Sequence, residues 1–216
     1  MRQPDPTAST IKRQQSALMA GMLLAIPVAV AFWLAVYHLL PPIEGMAEPV
    51  DRLMFAFGCG CVAILLCFVT AIEAVAHERL FSSAIDPLAG AESPRMIVNL
   101  RYLQNTLEQL MLFVPGLLAL AWYSADGRSM RAVVATTAVW IVARFVFWIG
   151  YHRAQRFRAP GLVGMAQSIA VLLYVCVRFA NDVAGWPGAA AVVALFAGIE
   201  AYLFLVLRRP SRTPLP

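Results

Sequence analysis

A chain of 216 residues in which 61% are hydrophobic and only 13% charged is not a soluble domain, where about a quarter of residues carry charge. Its net charge of +5 is not a nucleic-acid footprint either. The basic residues gather at the ends of apolar stretches, where membrane topology and anionic lipid set the demand. What remains is an all-α polytopic transmembrane helix bundle whose medium is the lipid bilayer.

Six stretches reach the roughly 20 apolar residues needed to cross a bilayer: 17–40, 53–76, 101–124, 131–152, 161–180 and 187–207. The first is too long for a removed signal peptide and lacks a small-residue cleavage site, so it reads as an uncleaved anchor. The ends, Met1 to Thr10 and Pro210 to Pro216, are rich in Pro, Ser and Thr and are expected to be disordered. Arg2, Lys12 and Arg13 precede the first span, and Arg79 and Arg95 lie in the second connection. Arg153, Arg156 and Arg158 lie in the fourth, and Arg208, Arg209 and Arg212 follow the last span. The other connections hold the acidic groups Glu44, Glu48, Asp51, Asp126 and Asp182 with Arg52, Arg128 and Arg131. Six spans with both termini in the cytoplasm satisfy the positive-inside rule; an odd number does not. Sixteen of the seventeen Lys and Arg residues are arginine. With abundant alanine, that bias points to a GC-rich bacterial genome, and hence to an inner membrane.

Punctuation sets the boundaries. Ser93-Pro94 reads as an N-cap with proline at the first helical position. Pro115 predicts a kink in the third span, and Pro160-Gly161 restarts the chain as the fifth. Cys59, Cys61, Cys67 and Cys176 lie in apolar stretches with no CxxC pair, and are expected to be small buried hydrophobes. His77-Glu78 lacks the second histidine of a zinc motif, so no metal is expected and the pair reads as interfacial and solvated. Glu73 and Glu200 are expected to snorkel or to pair with a neighbouring arginine.

The informative polar groups sit on the third and fourth spans. Arg101, Asn105 and Glu108 fall at i, i+4 and i+7, on one helical face. Arg144 and Tyr151 repeat a spacing of seven on the next span. Charge inside a bilayer costs several kcal/mol unless it is paired or used, which makes these residues a functional-site hypothesis by default. The short turn Ser124 to Met130 makes the two spans antiparallel neighbours. Counted from that turn, Glu108 lies roughly 24 Å deep and Arg144 roughly 21 Å, with Asn105 level with Trp148 and Arg101 with Tyr151. Three readings stay open: a Glu108–Arg144 pair that merely holds helices together, an arginine-lined path of a small-anion permease, or a ligand pocket. The positive surplus, with Arg153, Arg156 and Arg158 just below, suits an anionic ligand.

Arg101-x-x-x-Asn105-x-x-Glu108, followed by Ala143-Arg144 and then Tyr151, resembles the MAPEG family, membrane-associated proteins of eicosanoid and glutathione metabolism. The resemblance runs from about Arg101 to Gly161. It makes 53–180 a four-helix MAPEG-like core, preceded by a tail (1–16) and an added span and loop (17–52), and followed by an added span and tail (181–216). It implies a homotrimer with glutathione as co-substrate, held near the cytoplasmic side, and a lipophilic small molecule as second substrate. By matching position, Arg101, Asn105 and Glu108 would bind the tripeptide's polar ends, and Arg144 and Tyr151 would line the same pocket. Arg158 would stabilise the thiolate, with Arg144 as the second catalytic arginine. The chain departs from the family at Phe147, where several members have tyrosine, and at Leu103, where leukotriene-forming members have a polar residue.

Overall fold

The computed structural model describes residues 8–207, with side chains from residue 16 to 206 apart from Ala17, Gln155 and Arg156. The expectation of disordered ends therefore falls mostly outside it, as do Arg2, Arg208, Arg209 and Arg212. Ala8 to Thr10, however, are helical. The elements run α1 (Ala8–Leu39), α2 (Pro49–Ala63), a π-helical turn (Ile64–Val69), α3 (Thr70–Leu80), a short 3-10 turn (Ser83–Ile85) and α4 (Pro94–Trp122). Then follow α5 (Arg131–Arg153), a 3-10 segment (Gln155–Leu162) and α6 (Val163–Leu207).

Among the described residues four stretches are long and apolar enough to cross a membrane: Leu18–Leu39, Pro49–Leu80, Arg131–Arg153 and Phe157–Val206. The last, at 50 residues, far exceeds the roughly 20 that one crossing needs. Gly185 breaks it, at φ 64 and ψ −163, just before Pro187, which has no backbone N–H to continue a helix. The 29-residue α4 is also long enough, but its polar face lowers its hydropathy. Five helical runs, the last broken once, thus supply the six segments read from the sequence. The chain divides into two compact units, Met1–Val171 and Leu172–Pro216, and the polar networks and cavities described below all lie in the first.

α2, the π turn and α3 form one continuous rod, and the π turn has no sequence signature. Thr70 Oγ1 donates back to the carbonyls of Leu65 and Leu66 within it, the kind of side-chain intrusion that loosens an α-ladder. α4 begins as expected, with Ser93 Oγ accepting from Met96 N at 3.0 Å, and it continues helically through Pro115. The core between α2, α4 and α5 is built on Ala56, Ala63, Leu110, Phe113, Leu117, Val133 and Trp140, with Phe113 and Trp140 stacked at 4.5 Å. Of the cysteines, only Cys67 is fully buried; Cys61 and Cys176 are exposed and Cys59 half-buried. Their expected burial therefore holds for one of four, because the outward faces of these helices are apolar as well.

At one end of the bundle the loops are tied through backbone carbonyls. Arg52 donates to Met46 O, Ala47 O and Ala125 O, and Arg131 to Leu40 O. Asp126 closes the α4–α5 turn: its Oδ1 accepts from the backbone N–H of Ser129 and Arg128. These bonds hold its carboxyl below the usual carboxylate range, the Ser129 contact contributing most.

At the other end, Glu78 is buried, a departure from the solvated role read for His77-Glu78. Its carboxylate accepts from Ser93 Oγ, Arg95 Nε (3.2 Å) and Asn99 Nδ2 (3.3 Å). Asn99 Oδ1 in turn accepts from Trp148 Nε1 at 2.9 Å and lies 2.8 Å from His152 Nε2. Three helices are clasped by this chain, because the packing of α3 on α4 buries Glu78 and Asn99, whose polar groups must then find partners within the protein. Glu73 pairs with His77 at 3.5 Å rather than with an arginine.

Two glycines bring the chain after α5 back onto it. A Cβ at Gly150 would lie 2.1 Å from Phe157 O, and one at Gly161 would lie 2.3 Å from Phe147 Cβ. Gly161→Ala should therefore cost at least about 1–3 kcal/mol through overpacking. Gly58→Ala, a helical site with nothing within 4 Å, should be neutral or stabilising by up to about 1 kcal/mol. Glu78→Ala, which orphans the Asn99 amide, should cost about 1–3 kcal/mol. Unfolding midpoints of the three variants in one detergent would check the ranking.

Candidate functional site

α4 presents Arg101, Gln104, Asn105 and Glu108 toward the chain that follows α5. With Phe147 and Tyr151 of α5 and Arg158 of the 3-10 segment they line a cavity of about 210 Å3. Five of the six residues singled out from the sequence thus meet around one space. The close approach at Gly150 and Gly161 is what brings Arg158 back over α5, its guanidinium 5.2 Å from the centre of the Tyr151 ring.

Arg144 is the sixth, and its placement corrects the expectation that it lines the pocket. It is 0% exposed and sits behind the cavity wall, against the lining residues Asn105 and Phe147. One of its terminal nitrogens donates to Asn105 Oδ1 at 2.9 Å and the other to Thr106 Oγ1 at 2.8 Å. Its guanidinium also lies against the rings of Tyr102 (4.9 Å) and Phe147 (4.7 Å). The Glu108–Arg144 ion pair of the structural reading is not made. Instead Gln104 bridges the exposed charges: its Oε1 accepts from Arg101 at 3.3 Å and its Nε2 donates to Glu108 at 3.1 Å.

The register between α4 and α5 also differs by about one turn from the count made on the sequence. Arg144 meets Asn105 and Thr106 rather than Glu108, and Trp148 stacks on Tyr102 at 4.9 Å rather than levelling with Asn105. The cause is the connecting turn. Met130 N bonds to Asp126 O at 3.0 Å and Ala132 N to Ser129 O, so the chain winds helically from Asp126 onward. Counting α5 from Asp126 instead of Met130 adds four residues of rise and brings Arg144 level with Asn105.

Gln104 and Gln109 were not singled out from the sequence, though a signal was there. Gln104 stands at i+3 from Arg101 and i−4 from Glu108, the spacings at which helical side chains meet. Gln109 follows Asn105 at i+4, and its Nε2 donates to Asn105 Oδ1 at 3.2 Å. A larger cavity of about 530 Å3 lies between α1 and α5, lined by residues such as Leu24, Val28, Phe32, Val142 and Val146. It carries no titratable group, so it offers shape to a lipid-soluble molecule but no acid, base or charge.

Chemically, the smaller cavity offers two guanidinium groups, one carboxylate, two carboxamides and one phenol. That set suits a small zwitterion with surplus negative charge: Glu108 for an ammonium, Arg101 and Arg158 for anions.

Comparison with known proteins agrees on the family. A stretch of 84 residues is 32% identical to an uncharacterised protein of Synechocystis, covering 39% of this chain and 57% of that protein. The match thus spans little more than half the relative's length. No solved structure matches the chain. Residues 53–180, more than half of the sequence and all of the cavity's lining, match the MAPEG family; the chain belongs to it.

Proposed function

We propose that this protein is a membrane-embedded glutathione-dependent transferase or peroxidase that activates the glutathione thiol for attack on a lipophilic electrophile. The observation that carries this reading is the cavity on α4 and α5. It unites Arg101, Asn105, Glu108, Tyr151 and Arg158, within the stretch that matches the family. Support for a small charged substrate comes from the Gln104 bridge. By keeping Arg101 and Glu108 from pairing directly, it leaves one group of each sign for a ligand that has both.

The roles follow from charge. Glu108 faces the tripeptide's ammonium and Arg101 a terminal carboxylate. Tyr151 and Arg158 close on the thiol. A free thiol has a pKa near about 8.5, so only a few per cent is thiolate at neutral pH. A guanidinium, never itself neutral, favours the thiolate; lowering the pKa by two units takes about 2.7 kcal/mol. The thiol proton leaves to water. The sulfur lone pair then forms a C–S bond to the electrophile, and the displaced electron pair goes to a leaving group or to an atom that takes a proton from water. The electrophile arrives through the bilayer, in keeping with the apolar outer faces of the helices. A homotrimer in a bacterial inner membrane, with both termini and the cavity on the cytoplasmic side, is the matching assembly and setting.

Glutathione titrated into the purified protein in detergent should give saturable thiolate absorbance in the ultraviolet at neutral pH. Arg158→Ala should lose most of that signal while still binding glutathione, as read by calorimetry. No saturable binding by the wild type would overturn the proposal. Glu108→Gln should weaken glutathione binding by about 10- to 100-fold, the worth of a charged hydrogen bond. The same substitution should leave the binding of a deaminated tripeptide unchanged, because that ligand has no ammonium to lose.

A further inference from the structure

Asn105 is the one cavity-lining side chain whose polarity is dictated from behind. Its Oδ1 receives two donors, Arg144 at 2.9 Å and Gln109 Nε2 at 3.2 Å. A guanidinium carries only donors and cannot be deprotonated in a protein. The carboxamide can therefore turn only one way: oxygen toward Arg144, nitrogen toward the cavity it lines. Arg144 itself is fixed by its second bond to Thr106 Oγ1 and by the rings of Tyr102 and Phe147 on which it lies. Thr106 Oγ1 is committed in turn, donating to Tyr102 O at 2.7 Å.

We infer that Arg144 is a positioning residue that makes Asn105 an obligate hydrogen-bond donor to the ligand, so that the ligand group seated at Asn105 is an acceptor, a carboxylate or carbonyl oxygen. The inference rests on the glutathione reading of this cavity and deepens it: the site selects by the direction of a hydrogen bond set one layer behind its wall. With Arg101 and Arg158, Asn105 makes three obligate donors lining the cavity, against one carboxylate, Glu108. An amide or amine donor placed at Asn105 would meet a donor and leave both unpaired.

Two substitutions at one position separate this from a structural role. Asn105→Asp keeps an oxygen for Arg144 and replaces a neutral bond with an ion pair, but turns an acceptor toward the cavity. Asn105→Ala removes both functions. Thermal stability should therefore fall in the order Asp above Ala. Glutathione affinity should fall in the opposite order: wild type, then Ala weaker by about tenfold, the net worth of one hydrogen bond, then Asp weaker again by at least another tenfold.

Calorimetric titration of glutathione into wild type, Asn105→Ala and Asn105→Asp, with unfolding midpoints for each, reads both orders. Asp binding as well as Ala or better, with affinity tracking stability, would overturn the inference while leaving the glutathione reading intact. Absence of binding by the wild type would overturn both. Arg144→Gln supplies the second arm, releasing the lock with no group removed from the cavity wall. It should weaken glutathione binding several-fold, because the carboxamide is then free to present either end, and so shrink the further loss on Asn105→Asp, whose carboxylate presents an acceptor whichever way it turns. Equal losses for Asn105→Asp in the two backgrounds would also overturn it.

Discussion

The arrangement of α4 and α5 depends on one guanidinium buried without a carboxylate. Arg144 lies wholly inside the bundle, and its recorded partners are neutral: a carboxamide, a hydroxyl and two aromatic faces. A buried charge is tolerated only where nearly all its donors are satisfied. Its Nε has no hydrogen-bond partner, so even here the satisfaction is incomplete. Asn105, Thr106 and Tyr102 must consequently occupy the levels of α4 that face Arg144. That requirement sets the register of the two helices, and the register sets which residues are left to line the cavity.

The closing wall comes from a different constraint. Arg158 belongs to no regular helix; it is carried on a 3-10 segment that returns along α5. The return is possible because Gly150 and Gly161 lack side chains where Phe157 O and Phe147 approach. Packing of this closeness has a consequence for chemistry. The cationic group over Tyr151 is held by backbone-to-backbone contact, which flexes little, and not by a long side chain reaching from a loop. The Glu78–Asn99–Trp148 clasp adds a second brace at the same end of α5.

Much of this was legible in the residues. Arg101, Asn105 and Glu108 announced a shared face because helical periodicity is a property of spacing alone, and a polar face stands out against an apolar background. Ser93-Pro94 gave its helix start for the same reason: capping is local. The register of α4 against α5 was not legible to within a turn, because it depended on whether Asp126 to Met130 wind helically, and Asp, Gly, Arg and Ser are all common in open turns. The burial of Arg144 was missed because periodicity reports which residues share a face but not which of two neighbouring faces meets a partner helix. Glu78 was misread for a related reason: beside the apparently interfacial His77 it looked solvated, and its partners Ser93, Arg95 and Asn99 come from a different helix and its cap. The π turn at Ile64–Val69 leaves no compositional trace at all.

The bilayer makes the direction of these hydrogen bonds consequential. In water a misdirected amide costs little, because solvent supplies the missing partner. Within the hydrocarbon no such substitute exists, so each donor fixes the orientation of the next group. Buried Arg144 fixes Asn105 in this way, and buried Asn99 joins Glu78 to Trp148. If the cavity takes the ligand proposed above, it reads that molecule less by outline than by its sequence of donors and acceptors. A wrong sequence then leaves an unpaired polar group, at about 1–3 kcal/mol for each one buried. Few polar residues then suffice for selectivity, because packing gives each of them only one way to face.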